Sequence, residues 1–153
     1  MENWLARTEL LIGKDKIDIL SDSTVMIAGL GGVGAYAAEM CVRTGIGNVI
    51  IIDSDVISFT NLNRQILALH STIGKKKSEL MESRLLDINP DLKIVKIDSF
   101  IDESNIDQIL GNLQPDFIVD AIDTLSPKIA LILFALKRKI PLVSSMGAGA
   151  KYD

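Results

Sequence analysis

Thr24-Val25-Met26-Ile27-Ala28-Gly29-Leu30-Gly31-Gly32-Val33-Gly34 is the stretch that decides the fold. Its first five residues are short, apolar and bounded by Gly29, the signature of a buried strand. The glycines that follow fit G-x-G-x-x-G, with Gly32 in excess of the pattern. Glycines let the backbone turn tightly and approach a ligand closely. From Gly34 to Arg43, Ala, Tyr and Met recur at helical spacing, and Gly45 and Gly47 stop the helix. Val49–Ile52 is the next buried strand, ending at Asp53, 19 residues past Gly34. Strand, glycine turn, helix, strand and acid together describe a nucleotide-binding β-α-β unit.

The same alternation runs to the end of the chain. Ile57–Gly74 lacks a clean period and reads as a loop with short helical turns. The pattern predicts a helix over Lys75–Ile88, with Leu80, Leu85 and Ile88 on one face and Asn89-Pro90 as its stop. It then predicts a strand at Lys93–Ile97, a helix at Glu103–Leu113 and a fully buried strand at Phe117–Val119. A Leu- and Ile-rich helix at Pro127–Lys139 and a strand at Leu142–Ser145 follow. Parallel strands joined by helical crossovers are implied. The expected fold is α/β, a Rossmann-like doubly wound, mainly parallel sheet with helices on both faces in the order 3-2-1-4-5. Residues 1–153 form one domain, of which 1–20 are an N-terminal helical arm. Ligands in such sheets bind beyond the strand C-termini, so function should reside in the residues after each strand.

Composition narrows the class. At 153 residues, 48% hydrophobic and 24% charged, the chain is globular and not disordered. Its net charge of −4 is unlike the strongly basic balance of a dedicated nucleic-acid module. One cysteine, Cys41, excludes an internal disulfide or a four-cysteine zinc site. The longest uncharged run, Ser23–Ala38, is shorter than the ~18 residues of a membrane span. Met1-Glu2-Asn3-Trp4 lacks the basic start and apolar stretch of a signal peptide, so a cytoplasmic location is expected. Nothing after Leu142–Ser145 covers that apolar strand before Asp153, and an uncovered edge invites aggregation. The chain is therefore expected to continue in the natural protein.

NAD is the default ligand of the glycine fingerprint. The segment after Asp53 argues for a triphosphate instead. It holds Asp53-Ser54-Asp55, then Asn61-Leu62-Asn63-Arg64-Gln65, then Gly74-Lys75-Lys76-Lys77. A dehydrogenase needs no such polar insert, whereas cleavage of a triphosphate must neutralise the departing pyrophosphate. Arg64 offers a bidentate fork and Lys77 a point charge. Asp123, in Asp120-Ala121-Ile122-Asp123, again follows a buried strand and suits a magnesium carboxylate.

On these residues the chain resembles the ThiF-type superfamily, the ubiquitin-activating-enzyme-like adenylyltransferases. The match rests on GLGGVG at Gly29–Gly34, the Asp53/Asp55 pair, NxxRQ at Asn61–Gln65, Lys77 and the Asp120/Asp123 pair. Within it, Arg7–Gly13, Arg64–Lys77 and Asp120–Ala150 resemble the tRNA threonylcarbamoyladenosine dehydratase group. That resemblance implies ATP and Mg2+, adenylation of the threonyl carboxylate of the modified adenosine, and ring closure with net loss of water. It implies that Gly29, Gly31, Gly32 and Gly34 approach the phosphates and Asp53 holds the ribose. Asn61, Arg64 and Lys77 would bind phosphate, and Asp123 magnesium. Arg7 would reach into a neighbouring subunit, making a homodimer. The resemblance further implies tRNA and sulfur-transfer proteins as partners. The substrate side of the family domain is implied to lie past this chain, so residues 1–153 would bind ATP without cyclising tRNA. Two other readings stay open. One is adenylation of the C-terminus of a ubiquitin-like sulfur carrier, and the other is a non-catalytic nucleotide-binding or dimerisation module.

Several residues have plainer readings. Cys41, between Met40 and Val42, is core. His70, the one histidine, is structural, and Trp4 is a packing anchor for the arm. Asp120 supports its loop rather than touching metal. Lys137-Arg138-Lys139 complements a helix end or contacts RNA.

Overall fold

Successive side chains along a strand point to opposite faces of a sheet, and here the two faces bury separate cores. The structure, a computed structural model, describes residues 3–147. Strand β1 (Thr24–Ala28) sends Val25 and Ile27 to one face and Met26 and Ala28 to the other. Strand β2 (Asn48–Ile52) repeats this with Val49 and Ile51 against Ile50 and Ile52. Helices α3 (Gly34–Arg43) and α4 (Lys77–Ile88) cover the first face through Ala35, Ala38, Val42, Met81 and Leu85. Helices α5 (Ile106–Leu110) and α6 (Leu125–Arg138) cover the second through Ile106, Leu110, Leu131 and Phe134. Burying each of the larger of these side chains, Val, Ile, Leu, Met or Phe, contributes ~1.5–3 kcal/mol, and two filled faces account for the near-continuous apolar runs of β1 and β2.

With β3 (Lys93–Ile97), β4 (Phe117–Asp120) and β5 (Leu142–Ser144), the five parallel strands lie in the order 3-2-1-4-5. The order expected from the sequence is the order observed. Ala28 pairs with Ile52 and Asp120, and Asp120 with Ser144. Those residues form one row along the C-terminal edge of the sheet. The direction of winding reverses between β1 and β4, which opens a crevice there.

Several elements differ in extent or burial from those expected. α4 begins at Lys77 rather than Lys75, because Ile57 N–H donates to the Lys75 carbonyl and Lys76 bridges Val56. α5 spans only Ile106–Leu110; ahead of it, Asp102 and Asn105 bond neighbouring backbone N–H groups and hold a turn. α6 starts at Leu125, two residues before expected, with Pro127 tolerated inside the first turn. β4 is not fully buried, since Phe117 lies on a part of its face that α3 and α4 do not cover.

The N-terminal arm is helical as a pair, α1 (Ala6–Ile12) and α2 (Lys14–Asp22), broken at Gly13, whose φ is 85°. Leu5 rather than Trp4 anchors it: Leu5 packs on Gly45, while Trp4 is half exposed. Neither helix buries a residue. On the sheet, Glu39 of α3 accepts from Arg84 of α4 at 2.5 Å and from Arg43 at 2.8 Å. The Arg84 guanidinium holds the Glu39 carboxyl below the usual carboxylate range. Among the described residues, no helix is long and apolar enough to cross a membrane. Residues 148–153, which end the stretch after the last expected strand, lie outside the described residues.

Candidate active site

The crevice at the strand C-termini is a cavity of about 360 Å³. Its floor is the glycine turn. Gly29 adopts φ 88° and donates to the Ile52 carbonyl at 2.8 Å, tying β1 to β2. A Cβ on Gly34 would stand 1.7 Å from the Gly29 carbonyl oxygen. These two glycines serve the fold. Gly31 and Gly32 serve the cavity instead, since a Cβ there would project toward Gln65 Nε2 at 3.7 Å and Arg64 Cγ at 3.4 Å. No side chain caps α3, so its N-terminus presents donors and a positive dipole end to the same space.

Asp53 closes the turn from above. Its Oδ2 accepts the Leu30 N–H at 2.6 Å and its Oδ1 accepts the Asp55 N–H at 2.8 Å. Burial pushes its carboxyl up from the ordinary 3.8, against the lowering pull of those two N–H groups. On acidification the charged form, a strong acceptor for hydroxyls, is thus lost earlier than in an exposed aspartate. Lys77 is buried at the start of α4, and its Nζ donates to Asp55 Oδ2 at 2.8 Å. Arg64 lays its methylenes toward Gly32, while its guanidinium donates to the Thr60 carbonyl at 3.2 Å and Asn63 Oδ1 at 3.0 Å. Asp123 and Thr124 stand on the far wall, before α6. Ile52, Phe100, Ile101 and Ile122 make the apolar end.

Of the residues singled out from sequence, Gly29, Gly31, Gly32, Asp53, Arg64, Lys77 and Asp123 line this one cavity. Asn61 does not: its Oδ1 accepts the Ser58 N–H at 3.0 Å and caps the turn that carries Arg64. Arg7 is exposed on α1, whose neighbour Leu5 packs at the opposite, N-terminal edge of the sheet. His70 lies outside the cavity, edge-on to Phe59 with 6.1 Å between centroids. Cys41 packs against the first core, and burial raises its thiol pKa. Arg138 stacks over Phe134 and donates to the Gly111 carbonyl at 2.8 Å.

Sequence reasoning assigned no individual role to two further residues. Gln65 lines the cavity, is 7% exposed, and its Oε1 is buried without a hydrogen-bond partner. Lys128 is buried against Asp120. The NxxRQ spacing signals Gln65, whereas nothing local signals Lys128.

The model of the ThiF family matches residues 5–151. The chain is 43% identical over 153 residues to the tRNA threonylcarbamoyladenosine dehydratase of Bacillus subtilis, covering 100% of this chain and 60% of that protein. It thus spans somewhat over half the length of the relative it matches. The crystal structure of the E. coli tRNA N6-threonylcarbamoyladenosine dehydratase in complex with ATP superposes with a TM-score of 0.92 at 39% identity. That match covers 97% of this chain and 61% of the other. The E. coli molybdopterin-synthase adenylyltransferase is 32% identical over 130 residues, 85% of this chain and 51% of that protein. The five-strand order and the cavity at its switch point, together with a family match from residue 5 to 151, make this chain a member of the ThiF family.

Proposed function

We propose that this protein adenylates a carboxylate with ATP and magnesium, and that its substrate is the threonyl carboxylate of threonylcarbamoyladenosine in tRNA, which then closes to a cyclic form. One observation carries the nucleotide half of this reading. A hydroxyl acceptor, Asp53, shares a cavity with two cations, Arg64 and Lys77, and with a bare helix N-terminus. The residues fit the nucleotide by a further test. The orphaned Gln65 amide gains a partner from a bound ligand, either a donor to its Oε1 or, with the amide turned over, a phosphate oxygen. Magnesium also suits the donor set. It is held by one or two carboxylates plus phosphate oxygens, and Asp123 supplies a carboxylate at the cavity wall. Among the described residues, no cluster of three or more metal-binding side chains offers a cage independent of the nucleotide.

The nucleotide supplies the adenylyl group, and magnesium neutralises phosphate charge. The chain's residues do the rest by position and electrostatics. Ile52, Ile101 and Ile122 exclude water from the base. Asp53 accepts the ribose hydroxyls, and Gly31 and Gly32 let backbone approach the phosphates. Arg64 offers two parallel N–H donors to the charge that grows on the departing pyrophosphate. Lys77, steadied by Asp55, faces the same charge. Asn61 acts by capping the Arg64 turn. Residues 1–153 are the ATP-binding domain, with 1–20 as its arm.

A homodimer belongs to this reading. Arg7 lies at the edge of the sheet away from its own cavity, and the arm exposes Trp4, Leu10 and Leu11, an apolar surface suited to a partner. In such a dimer Arg7 serves the other subunit's cavity. A cytoplasmic location and sulfur-transfer proteins as further partners belong to the same reading. Identity of 43% to the dehydratase against 32% to the molybdopterin-synthase adenylyltransferase favours the tRNA substrate over a carrier protein.

Calorimetric titration with ATP and with NAD, magnesium present, tests the nucleotide. ATP is expected to bind and NAD to bind at least ~10-fold more weakly, about 1.4 kcal/mol. Tight NAD binding without an ATP response would end the adenylation reading.

A further inference from the structure

Lys128 is a charged side chain that the phosphate chemistry leaves unused. It is 7% exposed, and its Nζ uses three donors: to Asp120 Oδ2 at 2.6 Å, the Ser145 carbonyl at 2.9 Å and Ser144 Oγ at 3.1 Å. Asp120 is fully buried. Its Oδ2 also accepts the Ser144 hydroxyl at 2.5 Å, its Oδ1 accepts the Ile122 N–H at 3.1 Å, and its carbonyl accepts the Ser145 N–H at 2.8 Å. Every member of this network is satisfied. A buried ion pair is nevertheless a poor way to hold a helix on a sheet, since apolar side chains of similar volume often do as well. What the network adds is geometry. Lys128 and Asp120 clamp two backbone segments, 120–122 and 144–145, and both border the cavity through Ala121, Ile122 and Ser145.

Asp123 needs such a clamp. Its side chain is exposed and takes one hydrogen bond, from the adjacent Thr124 Oγ1 at 3.4 Å. Its position therefore follows its loop. We propose that Lys128 is the positioning residue for Asp123: by locking Asp120 to the Ser144–Ser145 segment, it sets where the Asp123 carboxylate meets a divalent cation. The proposal rests on the reading of Asp123 as the magnesium carboxylate. Groups that orient a metal ligand typically cost 10–100-fold in metal affinity or activity when removed.

Manganese is the probe, bound with a non-hydrolysable ATP analogue and followed by its electron paramagnetic resonance. Lys128→Met is expected to weaken manganese binding by ~10–100-fold while metal-free binding of the analogue stays native. The Ile122 and Ser145 amides should exchange with solvent faster. A role confined to stability would leave manganese affinity of the folded variant native. Ser144→Ala keeps the ion pair and serves if Lys128→Met does not fold; it is expected to lose manganese affinity by up to ~10-fold. Asp123→Asn separates the two claims. If it loses manganese while folded Lys128→Met, or Ser144→Ala in its place, binds it natively, the positioning role is wrong. If Asp123→Asn itself binds manganese natively, the magnesium reading fails and the proposal fails with it.

Discussion

Arg64→Ala is expected to lower pyrophosphate release by about 10³-fold, the scale on which an arginine that meets phosphoryl charge acts in a transition state. Its methylenes lie beside Gly32 at the cavity, and the Thr60 carbonyl and Asn63 Oδ1 accept from its Nη1, which ties the side chain to the turn that carries it. Charge on the pyrophosphate is larger in the transition state than in the bound triphosphate. The contact therefore strengthens along the reaction, and kcat should fall far more than ATP affinity. Single-turnover pyrophosphate release in the full-length protein, beside calorimetric ATP binding, makes the comparison. His70→Ala is the control. It lies outside the cavity and should stay within a few-fold of native, whereas a folded but inactive His70→Ala would identify His70 as a catalytic base. Mixing Arg64→Ala with Arg7→Ala subunits extends the test. If Arg7 serves the partner's cavity, re-equilibrated mixtures regain roughly a quarter of the sites, as two-fold symmetry requires. No recovery would place Arg7 elsewhere.

Gly34→Ala is expected to destabilise the fold by about 3 kcal/mol, the upper range for overfilling a tight site. The added Cβ would lie 1.7 Å from the Gly29 carbonyl oxygen and 3.0 Å from Ala121 Cβ. The first of these is backbone, so α3 must move away from β1. That shift opens the glycine turn and loosens Ile27 and Ala35 in the first core. Gly31→Ala is the paired variant, because its Cβ meets only Gln65 Nε2 at 3.7 Å. Chemical denaturation should show a lowered midpoint for Gly34→Ala and a native one for Gly31→Ala. The latter should lose ATP affinity instead, as its methyl occupies phosphate space. An unchanged midpoint in Gly34→Ala would mean that the helix is not seated on this glycine.

The sheet was readable because its inner strands are buried on both sides, which leaves runs such as Val49–Ile52 with no polar residue. The cavity was readable because parallel strands deliver their C-terminal neighbours to one edge, so Asp53 and Asp123 meet although 70 positions separate them. Other features have no local signature. Lys128 sits in a helix among Ile and Ala, where a lysine ordinarily extends to solvent. The fold of α6 back onto β4 brings Asp120 to it, and the return of β5 beside β4 brings Ser144. Asn61 illustrates the converse: its spacing to Arg64 marks the pair, but a capping oxygen and a phosphate ligand look alike in sequence. The late start of α5 arises from Asp102 and Asn105, whose side chains compete with the helix for backbone N–H groups. The arm gave least, since with no residue buried its packing partner cannot be inferred from periodicity.

Pyrophosphate release from ATP in the presence of different carboxylate acceptors tests the central claim most directly. The full-length protein with magnesium is offered threonylcarbamoyl-modified tRNA, unmodified tRNA, or a ubiquitin-like sulfur carrier with a free C-terminus. The account predicts release with the modified tRNA alone, dependent on Arg64 and Asp123, and matched by loss of water from the modified base. Release with the carrier protein and none with modified tRNA would contradict it in favour of carrier activation, and binding of ATP without release for any acceptor would make this a nucleotide-binding module.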